Sequence, residues 1–176
     1  MKKIYLAGPD VFRANALKHF EMLKTLCNKY GFEGLSPFDN DVNFDGELLS
    51  KKHSCHIFLG NIKQINNCDI IIANLVPFRG VCIDDGTAFE IGLGFAKEKL
   101  MYGYSEYCNM TMNEIIQFYF DITEGSDLKQ SEFPIIESFE GNCVNLMIQE
   151  SIELSGGKIL KSFEDCLIDL KENYNL

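Results

Sequence analysis

The run "DIIIANL" (69–75) constrains the fold more than any other stretch. Its apolar residues are continuous and lack the in–out alternation of a half-solvated strand. A strand that is apolar on both sides must be covered on both sides, as the central strand of a parallel sheet is. The stretch after it, "PFRGVCIDDGTAFEIGLGFA" (77–96), passes from a loop into a helix expected over 86–98. The strand therefore opens a strand–helix unit.

The same alternation recurs along the chain. "KIYLAG" (3–8) reads as a buried strand ending at Gly8-Pro9. Apolar residues at 12, 16, 17, 20, 23, 27 and 30 then trace one helical face over 11–30, closed by Gly31. "FEGLSP" (32–37) is a second strand, a weaker helical pattern covers 47–67, and "KLMYGY" (99–104) is a fourth strand. Residues 105–141 look irregular apart from a helix at 111–120, and 142–151 begins another ordered segment. Ile159, Leu160, Phe163, Leu167 and Leu170 outline a terminal helix after Gly156-Gly157. Such alternation gives an α/β fold, a parallel sheet of about five strands between helical layers. At 176 residues the chain is expected to be a single domain over 1–176. In open sheets of this kind, ligands bind at the carboxyl ends of the strands.

Charge narrows the partners. A formal net charge of −10 repels phosphate polymers and anionic membranes, so neither nucleic acid nor a membrane is an expected partner. Seven scattered cysteines without a Cys-x-x-Cys pair suggest no disulfide framework. "MKKIYLAGPD" has too few apolar residues before Pro9 for a signal peptide, and no apolar segment approaches the length of a membrane span. A cytoplasmic location is expected.

The carboxylates are ranked by place. Asp69 sits at the amino end of its strand, away from the crevice, and is expected to satisfy backbone groups there. Asp84, Asp85 and Glu90 lie at the crevice end. "TAFE" (87–90) matches the capping box in which Thr87 and Glu90 satisfy backbone N–H groups. The alternative is that Glu90, in a first turn beside the crevice and kept ionised by the helix dipole, attacks a sugar carbon. Asp84 and Asp85 have their own structural alternative, a solvated loop or an N-cap. "HSCH" (53–56) lacks paired zinc spacing, and no Walker A loop or Gly-x-Gly-x-x-Gly is present. No metal site is expected.

Several stretches together resemble the nucleoside 2-deoxyribosyltransferases: "IYLAGPDVF" (4–12), "PFDN" (37–40), "CDIIIANLVPFRG" with "DDGTAFEIG" (68–92), and "NLM" (145–147). The resemblance implies a flavodoxin-like (Rossmann-like) three-layer fold and transfer of 2-deoxyribose between nucleobases without a cofactor. It makes Glu90 the nucleophile, forming a covalent deoxyribosyl ester, and Tyr5 the hydroxyl that orients it. Phe12 matches an aromatic that packs on the base, Asp84 an acceptor for the sugar 5′-hydroxyl, and Gly8 falls among the substrate-binding positions. Asn145 and Met147 match residues contributed by a neighbouring subunit, which implies a homo-oligomer acting on small nucleosides and free nucleobases.

A sister group of deoxynucleotide glycosidases carries small hydroxyl residues near the 5′ position. Asp84 would repel a phosphate there, so a free nucleoside is the expected substrate. Two positions depart from the pattern. Asn61 stands where many members have an aspartate that protonates the leaving base, and an amide does not transfer a proton in that way. Asp41 replaces a base-contacting glutamine and suits a base edge that presents an amino group. The rival functions are an N-glycosidase that gives water the second attack and a nucleoside-binding module without chemistry. Residues 105–141, with Tyr107 and Phe118, match no motif and are expected to form a lid or an interface.

Overall fold

The computed structural model describes residues 1–39, 51–123, 137 and 139–173, with the side chains of 120–123 excluded. Five strands form one sheet: β1 (Lys2–Ala7), β2 (Phe32–Leu35), β3 (Ile70–Asn74), β4 (Leu100–Tyr104) and β5 (Ile159–Leu160). All neighbouring pairs are parallel, in the order β2-β1-β3-β4-β5. This is the flavodoxin-like order, and its switch point lies between β1 and β3. The run read as a central strand is β3, and all five of its residues are buried.

Side-chain alternation along the strands separates two cores. Ile4, Leu6, Ile70, Ile72 and Tyr102 face α1 (Ala16–Lys29) and α6 (Phe163–Asn173). Tyr5, Ala7, Ile71, Ala73 and Met101 face the opposite layer, built from α2 (Lys51–Asn67), α3 (Asp85–Ala96), α4 (Met112–Thr123) and α5 (Leu146–Leu154). Tyr5 and Glu90 thus share a layer only because position 5 falls on the α3 side of β1. A shift of one residue would send the phenol to the other core.

Two local readings change. The helix expected from residue 11 starts at Ala16; Pro9–Phe12 form a separate 3₁₀ turn, and Arg13 is extended. Ile159 and Leu160 are strand rather than helix. The Lys158 carbonyl accepts from the Gly103 N–H at 3.0 Å, and the Leu160 carbonyl accepts from the Ser105 N–H at 2.9 Å, so this segment completes the edge of β4. Gly157 permits that approach, since a Cβ there would fall 1.6 Å from the Met101 carbonyl oxygen. The helix expected at 111–120 is present as α4, which places Ile115 in the core, and Tyr107 packs on Phe118. Among the described residues, no helix is long and apolar enough to cross a membrane.

Candidate active site

The β3–α3 connection ends in a cap supplied by Asp84. Its Oδ2 accepts from the Thr87 N–H at 3.0 Å and from the Thr87 hydroxyl at 3.1 Å. The capping-box reading is therefore corrected: the cap lies three residues before Thr87, where an aspartate N-cap meets the N–H of the third helical residue, and Glu90 is left in the second turn. There its Oε1 accepts a 2.5 Å hydrogen bond from the Tyr5 hydroxyl. A carboxylate not needed for the helix end is free for another role.

The electrostatics of this pair differ from the helix-dipole expectation. Burial, opposed by the Tyr5 hydrogen bond and reinforced by the charge of Asp84, pushes the Glu90 carboxyl up to about 7. Burial and the neighbouring Glu90 charge hold the Tyr5 phenol well above its ordinary range. Tyr5 is therefore a neutral donor, and Glu90 is the group that titrates near neutrality. Desolvation outweighs the dipole.

Gly8 and Phe12 lie on the loop beyond β1. Gly8 has φ +146°, and a Cβ there would approach the Asn74 Cβ to 2.7 Å, so this bend is closed to larger residues. Phe12 is 57% exposed and stacks on Phe78, with ring centroids 5.1 Å apart. Phe12 and Phe78 thereby join the β1 and β3 loops across the switch point. Asn61 lies on α2, partly buried. Asp41 falls outside the described residues.

Among the described residues, no hydrogen bond joins Asn145 or Met147 to Tyr5 or Glu90. Asn145 caps α5, accepting from the Met147 N–H at 3.0 Å and donating to Glu137 at 3.1 Å. Asn145 also lines a cavity of about 250 Å³ with Asp85, Ala88, Ser105, Met112 and Ile148; neither Tyr5 nor Glu90 lines it. Met147 is 68% exposed. Asp69 holds the amino edge, accepting from the Lys3 N–H and pairing with Lys2.

Sequence reasoning missed the support behind the β1 loop. Asp10, 2% exposed, accepts from Asn74 Nδ2 at 2.9 Å and from Arg13 Nε at 2.5 Å. This ties the loop to the end of β3. A signal was present, because Asn74 is the one polar residue inside the apolar run of β3. Among the described residues, no cluster of three or more His, Cys, Asp or Glu side chains is arranged to hold a metal.

Fold and site together define a flavodoxin-like α/β domain with a desolvated, hydrogen-bonded carboxylate at the carboxyl edge of its sheet. The model of the nucleoside 2-deoxyribosyltransferase family matches residues 4–147, and the chain belongs to that family. It is similar to the 2-desoxiribosyltransferase from Leishmania mexicana, with 28% identity, a TM-score of 0.73 and 99% of each chain covered. It shares its fold with a conserved protein from Enterococcus faecalis V583, at 24% identity, a TM-score of 0.63 and 98% of each chain covered. It is also 28% identical to the uncharacterized protein C191.05c of Schizosaccharomyces pombe, over 98% of this chain and 90% of that protein.

Proposed function

We propose that this chain moves 2-deoxyribose from one nucleobase to another through an ester on Glu90. The observation that carries the reading is the Tyr5–Glu90 pair: a desolvated carboxylate with one oxygen fixed by a neutral phenol at 2.5 Å. In the first step the ionised Glu90 attacks C1′ of a 2′-deoxynucleoside. The C1′–N bond breaks, and the base departs with the bonding pair and gains a proton. In the second step a ring nitrogen of the acceptor base attacks C1′. The C1′–O bond breaks, its electron pair returns to Glu90, and the acceptor loses its N–H proton. Two inversions retain the configuration, as in retaining glycosidases.

The other site residues take roles consistent with their places. Asp84 receives the sugar 5′-hydroxyl at the mouth of the crevice, and its charge disfavours a 5′-phosphate. Phe12, backed by Phe78, packs on the base above Gly8. Asn61 cannot supply the proton for the departing base, so that step falls to Asp84, Asp41 or water. Asn145 and Met147 complete the site of a neighbouring copy in a homo-oligomer. A methionine 68% exposed beside a helix cap fits a residue that a second copy covers.

The rival hydrolase is separated by one comparison. A 2′-deoxynucleoside is incubated with the protein, with and without a free acceptor base, and both products are quantified. Transfer predicts a new deoxynucleoside, with free deoxyribose suppressed as acceptor is added. Free deoxyribose formed at one rate in both tubes would assign the second attack to water.

A further inference from the structure

The loop between β3 and α3 carries a group that the transfer scheme does not use. Arg79 is exposed, and its guanidinium lies 5.0 Å from the Phe12 ring centroid and 4.6 Å from that of Phe78. Its backbone has φ +53°, a conformation that costs a non-glycine residue about 1 kcal/mol or more. Glu98 shares that angle, but it sits just past the end of α3, where left-handed residues are ordinary. Arg79 has no helix end to account for it. The reversal is closed by the Phe78 N–H donating to the Cys82 carbonyl at 2.9 Å, leaving Arg79 at the turn beside the two rings.

Charge makes the placement more specific. The chain has only two arginines among its 16 basic residues, and both lie at the carboxyl edge of the sheet. Arg13 is engaged by the buried Asp10. Arg79 has no carboxylate partner among the described residues. A guanidinium stacked on rings keeps its in-plane N–H donors available at its edge.

Glu90 lies six residues beyond Asp84 along α3, about 9 Å at 1.5 Å per residue. A pentose seated on Glu90 would carry its base up to the level of the Phe12, Phe78 and Arg79 loops. Resting on the proposed transfer reaction, we infer that Arg79 determines base specificity, donating a forked pair of hydrogen bonds to the O6 and N7 edge of a 6-oxopurine. Adenine presents one acceptor and an amino donor on that edge, so it satisfies only half of the fork. Thymine and cytosine offer no matching pair of acceptors there.

The test compares 2′-deoxyinosine and 2′-deoxyadenosine as donors to one acceptor base, with the parent protein, Arg79→Met and Arg79→Lys. Methionine keeps an apolar contact with the rings and removes every donor. With Arg79 outweighing the amino-edge preference expected of Asp41, the parent should prefer 2′-deoxyinosine in kcat/KM, and Arg79→Met should lower the inosine-to-adenosine ratio about 10- to 100-fold. Arg79→Lys, with a point charge in place of a fork, should fall between them. A ratio unchanged in Arg79→Met, whatever the absolute rates, would overturn the assignment. Binding of free hypoxanthine and adenine to the same three proteins, followed by calorimetry, separates this inference from the reaction itself. Hypoxanthine preference lost in Arg79→Met supports the assignment even without turnover; equal affinities for the two bases in the parent refute it.

Discussion

Glu90→Gln is expected to abolish base exchange and, at pH 8, to make the fold more stable than the parent. The loss of activity follows from chemistry. An amide oxygen does not displace a nucleobase at C1′, so transfer should fall by at least about a thousandfold. The gain in stability follows from the position of the carboxyl. In the folded chain it titrates at about 7 instead of its ordinary 4.5. A carboxyl raised on folding favours the native state below its unfolded value, and that contribution is lost as pH rises through its folded value. Above pH 7 the parent keeps a buried charge, at a cost on the order of 3 kcal/mol that glutamine escapes. Thermal unfolding at pH 8 should show a rise of about 4–12 °C, shrinking toward zero at pH 4. A Glu90 that served to cap the helix would give the opposite sign, because its loss would destabilise at neutral pH.

Tyr5→Phe should slow transfer about 10- to 150-fold, the value of a hydrogen bond to a charged group at roughly 1.5–3 kcal/mol. Rate alone would not separate orientation from a general loosening of the core. The pH profile does. The Tyr5 hydroxyl lowers the Glu90 carboxyl against the upward effects of burial and Asp84. Without it the carboxyl titrates higher, and the reacting form is the ionised one. The acid limb of kcat/KM, which reports the free enzyme, should therefore move to higher pH in Tyr5→Phe. A slower variant with its acid limb unmoved would make Tyr5 a packing residue only.

These effects depend on features that were legible in the sequence to different degrees. The apolar run at β3 gave away a doubly covered strand, and the carboxyl-edge rule then sorted Asp69 from Asp84 and Glu90. Composition could not show which way Glu90 faces. "TAFE" satisfies a capping box as text, but Asp84 reaches Thr87 first, and only the geometry of the β3–α3 loop decides between two acceptors for one N–H. β5 was hidden for a similar reason. Ile159 and Leu160 fit a helical period with Phe163, and their strand state comes from pairing with β4, a contact remote in sequence. Asp10 and Arg79 escaped because the first looks like a loop carboxylate and the second like a solvated charge. Burial against Asn74 and stacking on Phe12 set them apart, and neither has a local pattern. The electrostatic sign at Glu90 was the largest miss, since a dipole is visible from helix position while desolvation requires the packed structure.

Intact-protein mass spectrometry of the chain mixed with a 2′-deoxynucleoside and no acceptor tests the central claim most directly. The account predicts a population heavier by one deoxyribosyl group, a peptide map placing that group on Glu90, and its disappearance when a free base is added. Turnover that leaves Glu90 unmodified, with base exchange undiminished in Glu90→Ala, would contradict it.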